Sequence, residues 1–349
     1  MTTQDEQAFL AAIVATPDDD TPRLVFADWL DERARGDDAA RAALIRAQCQ
    51  LEHLAPGGKE RRALEKQAKA ILKEHEGKWA KALSDAGIVD RWEFRRGFID
   101  GVTMSATGFA LDPELLFRVA PTVRTARFPN ASNQVGELAE CEYFARLASV
   151  DLSRMCLCDY CPIQNDLRAL FRSKHAQSLT KLNVAGDRMD AAGVKRLAAS
   201  AALARLTTLD VSDNPFSADG VLALGKAKHL KHLTTLNLSG TEVPVYNPAD
   251  PHAGAEAVAA LNNLPTLTHL GLSNNGYNAA AVRTIVAAPL FAQLVSLDLS
   301  HNPIRPTGAK VLAALPATAK LESLDVRKCS LTEPAIRALK KRFGKGVKV

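Results

Sequence analysis

The chain has 349 residues, of which 47% are hydrophobic and 24% charged, and it carries a formal net charge of +5. This composition is that of a soluble globular protein and excludes a disordered or collagen-like chain. No apolar run approaches the ~20 residues that cross a bilayer, and the acidic start MTTQDEQAFL lacks the basic flank of a secretory signal. The six cysteines show no disulfide spacing. We therefore expect a cytoplasmic protein with reduced thiols and no membrane partner.

Residues 1–90 show helical periodicity and no repeat. Thr3 and Glu6 form a capping box that predicts a first helix. Pro22, directly after Thr21, predicts the start of a second helix, and Gly36 is expected to end it. Asp37 or Asp38 is expected to cap a third helix, and a fourth follows APGG at 55–58. The predicted buried positions of the first two helices are Phe9, Leu10, Ile13, Val14, Leu24, Val25, Phe26, Trp29 and Leu30.

Three acidic side chains lie on one face of the predicted second helix. Asp28 and Asp31 are three residues apart, and Glu32 is four residues from Asp28. A metal or acid–base site would need further ligands or a nucleophile, which the sequence does not place. The structural alternative pairs Asp28 and Glu32 with nearby arginines such as Arg33, Arg35 or Arg41 at the surface. We favour the structural alternative.

The stretch DDTPRLVFADWLDERARGD, followed by RAALIRAQCQLEHL at 41–54, resembles the repeat-companion domain, a short bacterial module found beside repeat arrays. The matching positions are Arg23, Leu24, Phe26 to Glu32, Arg41, Ala42, Ile45, Arg46, Gln48, Cys49 and Leu51. The resemblance implies a companion domain fused to a repeat scaffold, and it brings no established activity. Ala34 and Arg35 depart from the pattern, and we expect them to lengthen the helix by about half a turn.

A repeat organises the rest of the chain. Six segments follow L-x-x-L-x-L or L-x-x-L-x-V, and their first leucines, at 179, 206, 233, 267, 294 and 321, are 27 residues apart except across one insertion. The ninth positions are Asp187, Asn214, Thr241, Asn275, Asn302 and Cys329. Each leucine pattern predicts a short strand, the ninth residue a turn held by side-chain hydrogen bonds, and the following stretch a helix. This is the leucine-rich-repeat signature, and it resembles the ribonuclease-inhibitor-like class.

Weaker copies of the strand pattern occur at 99–104, 123–128 and 147–152, so the sequence predicts nine strands. The expected fold class is α/β: a leucine-rich-repeat solenoid, or horseshoe, with a parallel concave sheet and convex helices, preceded by an N-terminal all-α domain. The predicted domains are 1–90, a companion domain with its connecting helix, and 91–349, the repeats. Within the second domain, the units are degenerate to about residue 178 and regular over 179–349.

A cysteine cluster is the other candidate site. Cys156, Cys158 and Cys161, with Cys141 nearby, have a spacing that could hold zinc. However, repeats of this class often carry a cysteine near the ninth position, and Cys156 falls one place beyond it. Small buried thiols are therefore the alternative. We assign no metal ligand and no cofactor.

The predicted function is that of a non-enzymatic scaffold that binds a protein partner through the concave face, because the sequence lacks a recognisable catalytic motif. The expected contact residues, from strands 210–328 and the inserted loop 244–254, are Asp210, Tyr246, His269, Asp298, His301, Asp325 and Arg327. The alternative is that the aspartates only hold their own strands by local hydrogen bonds. The basic tail 337–349 leaves nucleic-acid binding open as a further alternative, which we do not expect. The sequence does not predict the oligomeric state.

Overall fold

A computed structural model of the chain describes residues 4–155, 164–241, 253–316 and 319–349. It divides into two compact units, Met1–Arg127 and Phe128–Val349, called unit 1 and unit 2 below. The predicted domain boundary after residue 90 stays a prediction. Within the described ranges, no helix is both long enough and apolar enough to cross a bilayer.

Unit 1 begins with five helices and then forms three strands with two short helices between them. The elements are α1 Gln4–Ala15, α2 Thr21–Arg33, α3 Asp38–His53, α4 Lys59–Trp79, α5 Lys81–Ala86, β1 Arg91–Arg95, β2 Phe98–Thr103, α6 Ala106–Leu111, α7 Pro113–Val119 and β3 Thr125–Arg127. Strand β1 pairs antiparallel with β2, and β3 pairs parallel with β2. The predicted all-α character holds for residues 4–86.

Strand β1, which forms a hairpin with the predicted strand β2, is an addition to the prediction. Its turn residues Arg96 and Gly97 have φ of 51° and 81°, the left-handed pair that tight hairpins require. A side chain at Gly97 would place Cβ 2.2 Å from Ile45 Cγ1 on α3, so the turn also needs glycine for close packing. Gln48 fixes the hairpin to α3 by accepting from the Gly97 N–H (2.7 Å) and donating to the Phe94 carbonyl (3.2 Å).

The core of unit 1 differs from the prediction on one face of α2. Helix α2 buries Arg23, Phe26, Ala27 and Leu30, which recur at the spacing of one helical stripe. Phe26, Ala27 and Leu30 join a cluster with Ile13, Ala42, Ile45, Cys49 and Phe98. Leu24 and Val25, predicted to be buried, are 38% and 48% exposed because they lie outside that stripe.

The end of α2 is also different from the prediction. The helix stops at Arg33, and Ala34 adopts the left-handed conformation with φ of 48° while its N–H bonds to the Leu30 carbonyl. The expected lengthening by Ala34 and Arg35 is therefore wrong, because Ala34 itself takes the C-cap conformation before Gly36.

Unit 2 alternates strands and helices along the chain. The elements are α8 Val135–Glu140, β4 Ser149–Asp151, α9 Gln164–Leu170, β5 Lys181–Asn183, α10 Ala191–Ala198, β6 Thr208–Asp210, α11 Ser217–Gly225, β7 Thr235–Asn237, α12 Ala253–Ala259, β8 His269–Gly271, α13 Ala279–Ala287, β9 Ser296–Asp298, α14 Arg305–Ala313, β10 Ser323–Asp325, α15 Glu333–Phe343 and β11 Val347–Lys348. Short 3-10 turns lie at Glu142–Arg146, Lys174–Ser178, Ala201–Leu203, Pro289–Gln293 and Gly344–Gly346.

Strands β4 to β11 form a parallel sheet in chain order, and consecutive helices from α10 to α15 pack on one another. The register joins equivalent positions of neighbouring repeats, so that Leu182 pairs with Leu209 and Leu297 with Leu324. All nine predicted strands are present, and β1 and β11 are additional. The predicted α/β solenoid is confirmed, although β1 is antiparallel to its neighbour.

The leucines of the repeat form the core of unit 2. Every first-position leucine from Leu179 to Leu321 is at most 4% exposed, and the fourth and sixth positions of the same repeats are buried with them. Because each strand turns alternate side chains to opposite faces, the third and fifth positions lie on the outer face of the sheet. This outer face is the one that the sequence predicts to be concave.

The ninth-position residues hold the turns that follow the strands. The Asn302 amide donates to the carbonyls of Leu272, Leu299 and Ser300, and its oxygen accepts from the N–H groups of Asn275 and Tyr277. The Asn214 side chain makes the equivalent five bonds three repeats earlier. The predicted role of the ninth position is confirmed at these residues, where a buried amide satisfies backbone groups that would otherwise lack partners.

Candidate functional site

A row of third-position side chains crosses the outer face of the sheet in unit 2. Strand pairing places these residues side by side, one from each strand: Lys181, Thr208, Thr235, His269, Ser296 and Ser323. We call them the third-position row. All are exposed or half-buried. In the described part of the chain, only His269 forms a side-chain hydrogen bond, to the neighbouring Thr268 hydroxyl (2.9 Å). The other five side chains therefore keep their donors and acceptors available.

The fifth-position row lies beside it and behaves differently. Its residues are Asn183, Asp210, Asn237, Gly271, Asp298 and Asp325. The Asp298 carboxylate accepts from the N–H of Ser300, two residues on (2.8 Å), and the other side chains of the row make the same bond in their own repeats. These are Asx turns, which hold the backbone as each strand ends. The side chains of the fifth-position row are therefore already engaged in hydrogen bonds within the chain.

The one glycine of the fifth-position row shows how close these side chains lie. A Cβ at Gly271 would fall 2.5 Å from Asn237 Oδ1. Since Gly271 has no side chain, the bond that an Asx turn would supply comes from the previous repeat, where Ser239 Oγ accepts from the Ser273 N–H (3.1 Å). The Ser273 N–H therefore has a hydrogen-bond partner in the neighbouring repeat.

The predicted contact residues fall into two groups. Asp210, Asp298 and Asp325 accept local backbone bonds, which agrees with the alternative that they hold their own strands. Asp325 also binds the Arg327 guanidinium through two donors (2.9 and 2.7 Å), and this holds the pKa of the carboxyl below its usual range against the opposing effect of burial. His269 and His301 are exposed. Tyr246 and most of the loop 244–254 lie outside the described residues.

The sequence left most of the third-position row out of its candidate list, since serine and threonine are common in any polar stretch. The distinguishing signal is the register, which places one free side chain from each repeat on a line. A stricter use of the 27-residue period would have found the row, because the third position is polar in all six repeats.

The acidic face of α2 is a surface ion-pair network. Arg46 of α3 donates to Asp28 (2.6 Å) and to Asp31 (2.7 Å), and all three side chains are exposed by 41% or more. The predicted arginine partners were wrong: Arg33 binds Asp38, and Arg46 takes the carboxylates from the next helix. The three carboxylates predicted as an alternative site are therefore not gathered in a buried pocket.

The thiols that the structure describes are not arranged as a metal site. Cys156, Cys158 and Cys161 lie outside the described residues, and within the described ranges no three His, Cys, Asp or Glu side chains come together to hold an ion. Cys49 and Cys329 are buried, and burial raises the pKa of the Cys49 thiol to about 12. These two thiols behave as small core residues.

The first part of the basic tail, residues 337–343, belongs to the last helix, α15. Its Arg342 side chain donates to the carbonyls of Leu315 (3.1 Å) and Pro316 (2.7 Å), and its guanidinium lies over the Phe343 ring. Lys340 and Lys341 are exposed at the last turn of α15, where cations favour the helix dipole. Part of the positive charge that suggested nucleic acid therefore has a local structural use.

Comparisons with known proteins agree with the repeat. A family model described as Leucine Rich repeat matches residues 205–225 and 294–313, which contain β6 and α11 in one copy, and β9 and α14 in the other. Unit 2 is a leucine-rich-repeat solenoid. The resemblances of residues 21–54 to the repeat-companion domain, and of the repeats to the ribonuclease-inhibitor-like class, stay predictions.

Among solved structures, the chain is similar to an internalin from Listeria monocytogenes, with 17% identity over 67% of this chain and a TM-score of 0.40. It is also similar to a protein from Bacteroides fragilis (13% identity, 84% of each chain, TM-score 0.48). A third similar structure is the leucine-rich repeat-containing protein LegL7 from Legionella pneumophila (16% identity, 71% of this chain and 91% of that one, TM-score 0.45). The chain spans 56% of the internalin's length. A comparison with curated protein sequences gives no match.

Proposed function

We propose that the protein is a non-enzymatic scaffold whose leucine-rich-repeat sheet binds a protein partner on its outer face. The supporting observation is the third-position row, in which five of the six side chains make no hydrogen bond within the described residues while the adjacent fifth-position row is occupied. A surface that leaves one regular line of donors and acceptors unused presents them to a partner or to water.

The chemistry of the row suits polar recognition. Thr208, Thr235, Ser296 and Ser323 each offer a hydroxyl that can donate and accept, and Lys181 and His269 add charge or a ring nitrogen. The short serine and threonine side chains lose less rotamer entropy when they are ordered than long side chains do, which lowers the cost of forming an interface. The exposed His301 and Arg327 lie farther along the turns and extend the contact beyond the strands.

The residues predicted from the sequence enter this proposal with different weight. We retain His269, His301 and Arg327 as proposed contacts with the partner. The three aspartates contribute mainly by holding the backbone that presents the row. Loop residue Tyr246 stays a predicted contact.

The test is a bulky charged variant of the row. Thr208→Arg, Thr235→Arg and Ser296→Arg together place three long cations on the outer face, and the wild-type and variant proteins are used as baits for affinity capture, followed by binding measurements on the purified partner. The matched control places three arginines at exposed positions of the helix side, Ala192→Arg, Ala287→Arg and Thr307→Arg.

We expect the row variant to lose the partner, with an affinity reduced roughly tenfold or more, and the helix-side control to retain it. Both variants should keep a thermal midpoint close to that of the wild type, because the substituted side chains are exposed or half-buried and make no described hydrogen bond. Equal loss in both variants, or retained binding in the row variant, would reject the outer face as the site.

A further inference from the structure

A cleft in unit 1 has a feature that the proposed scaffold function does not use. Its volume is about 320 Å³, and it is bounded by helices α1 to α4, by β2 and by residues 119–122 after α7. Nine of the fifteen lining residues are apolar, among them Leu10, Phe26, Ile99 and Pro121. The volume lies at the lower end of the range for small-molecule sites.

Arg41 of α3 brings a positive charge into this cleft. Its guanidinium carbon lies 4.6 Å from the ring centroid of Trp79 and 5.2 Å from those of Phe94 and Phe98. Three rings therefore hold the guanidinium in one place by cation–π contacts. Burial lowers the pKa of Arg41 to about 10, with the charges of Asp37 and Glu6 opposing this effect, so the group stays charged at neutral pH.

The Arg41 guanidinium has no polar partner among the residues that the structure describes: it donates no hydrogen bond and lies within ion-pair distance of no carboxylate. A charged group in such an environment ordinarily has both. The planar guanidinium carries five N–H donors, and none of them is used by the chain.

The other polar side chains that line the cleft are occupied. Asp38 accepts two bonds from Arg33 (2.6 and 2.5 Å) and one from the Arg35 N–H (3.0 Å). Asp37 accepts from Lys78 and from the Trp79 indole N–H. Glu6 lies 3.6 Å from Arg33, and the Thr122 hydroxyl donates to the Ile99 carbonyl (2.8 Å). The free donors of the cleft are thus concentrated on Arg41.

We propose that this cleft binds a small apolar monocarboxylate, whose two oxygens accept from the Arg41 guanidinium and whose hydrocarbon body lies against Leu10, Phe26 and Ile99. The planar guanidinium matches a carboxylate in a two-point arrangement. The apolar walls suit a hydrocarbon body, because burying it gains free energy in proportion to its area.

The charge of the cleft disfavours a ligand that carries more than one negative charge. Arg33, Arg41 and Lys78 are balanced by Glu6, Asp37 and Asp38, so a monoanion leaves one excess negative charge. A dianionic phosphate would leave two, beside three carboxylates, and the cleft lining offers no second free cation among the described residues. Negative charges that lie close together in a poorly solvated site repel each other strongly.

The experiment compares three probes on the full chain: hexanoate, the neutral hexanamide of almost the same shape, and hexyl phosphate. Thermal midpoints are recorded at increasing probe concentration, since a ligand that binds only the folded state raises the midpoint. On the wild-type protein with ¹⁵N-labelled arginine, NMR follows the Nε–H resonance of Arg41. We expect hexanoate to raise the midpoint and to shift this resonance, and the other two probes to have little effect.

Two variants on the same helix sharpen the test. Arg41→Gln should weaken hexanoate binding by roughly 10- to 100-fold, because hydrogen bonds to a charged group are lost. Arg46→Gln removes an exposed arginine of α3 that does not line the cleft, and it should bind hexanoate like the wild type. If Arg41→Gln does not fold, the wild-type resonance shift decides alone.

The proposal is overturned if hexanamide or hexyl phosphate binds as well as hexanoate, if hexanoate leaves the Arg41 resonance unmoved, or if Arg41→Gln binds hexanoate as the wild type does. Because the cleft lies wholly in unit 1, a failure here leaves the proposed partner surface of unit 2 unaffected.

Discussion

The polar side chains of the two units are used in different ways. In unit 2 the same bonds recur from repeat to repeat, so that Asn214 and Asn302 each satisfy five backbone groups in equivalent places. In unit 1 each polar contact occurs once. Gln48 fixes one hairpin, Arg46 joins two aspartates of α2, and Arg33 binds Asp38.

The difference teaches where each unit tolerates an unsatisfied polar group. A stack of similar repeats must satisfy its buried backbone at every turn, because each turn packs against the next repeat. Unit 1 has no repeated turn, and its irregular packing encloses the Arg41 guanidinium, which has no polar partner among the described residues. Unit 2 also has buried side-chain atoms without a hydrogen-bond partner among the described residues, at Asp187, Arg196 and Tyr277. At Asp187 an acid replaces the amide found at Asn214 and Asn302.

The two units can be followed separately in solution. All three tryptophans, Trp29, Trp79 and Trp92, lie in unit 1, so tryptophan fluorescence reports on the unfolding of that unit. Hydrogen exchange of the strand amides of unit 2 reports on the repeats. The two measurements together separate the effect of a substitution on unit 1 from its effect on unit 2.

The largest expected effect is that of removing a ninth-position amide. Asn302→Ala leaves three carbonyls and two N–H groups without their partner in the buried turn, and we expect the free energy of unfolding of unit 2 to fall by about 3 to 5 kcal/mol. This loss is measured by urea unfolding, with hydrogen exchange of the strand amides as the reporter of unit 2.

The control for Asn302 is Asn237→Ala in the fifth-position row. Asn237 is half-buried, and its side chain bonds to the Ser239 N–H and to Asp210. We expect a loss of about 1 kcal/mol there. We call the buried ninth-position side chains the ladder. A similar loss at both positions would mean that the ladder matters no more to the stability of the repeats than the fifth-position row does.

A smaller effect is expected in unit 1. Asp38→Ala removes both bonds to Arg33 and the bond to the Arg35 N–H, and we expect tryptophan fluorescence to report a loss of about 2 kcal/mol. The hydrogen bonds from Arg33 lower the pKa of Asp38, against the opposing effect of burial. The stabilisation is therefore complete above the ordinary carboxyl pKa of about 4, and it is lost as the pH falls through the lowered value of the folded state.

Asp31→Ala is the control in the same unit. Its bond to Arg46 is exposed, so the expected loss is below about 1 kcal/mol. If Asp38→Ala costs no more than Asp31→Ala, the isolated contacts of unit 1 would be replaceable one by one, unlike the buried ladder of unit 2.

Much of the fold could be predicted because unit 2 repeats itself. The 27-residue spacing of the leucines located six strands, and the ninth-position residues were correctly assigned to the turns. Strand β1 lies outside the repeat, so the leucine spacing could not locate it, although RWEFR alternates charged and aromatic residues as a half-buried strand does. Its turn depends on Arg96 and Gly97. Strand β11 has only two residues, too few for a pattern.

The contacts of the candidate sites were harder to predict. The sequence offered Asp28 the arginines Arg33, Arg35 or Arg41, but its partner is Arg46 of α3, 18 positions away. Such a partner depends on how two helices pack, and the helical period alone does not give that information. The cleft around Arg41 depends on the packing of four helices and a hairpin, so residue spacing could not have indicated it.

Asp187 is the acidic member of the ninth-position ladder of unit 2. Its Oδ1 accepts from the Met155 N–H (2.8 Å), and its Oδ2 has no hydrogen-bond partner within the described ranges although the side chain is fully buried. Burial raises the pKa of this carboxyl to about 7, with the charge of Asp151 adding to the effect and the N–H groups of Met155 and Arg154 opposing it. Asparagine at the equivalent positions donates to three carbonyls, which an ionised aspartate cannot do.

The sign of the pH dependence follows from the raised pKa. Between about pH 4 and pH 7 the folded state keeps a proton that the unfolded chain releases, so the free energy of unfolding of unit 2 decreases as the pH rises through this window. Asp187→Asn removes that titration and restores an amide donor. We expect it to stabilise unit 2 by about 1 to 3 kcal/mol at pH 8 and to give a smaller gain at pH 4. Asp213→Asn, at an exposed position, controls for the loss of one negative charge. A gain from Asp187→Asn that is the same at both pH values, or that is larger at pH 4, would show that the buried acid is not the weak point of the ladder.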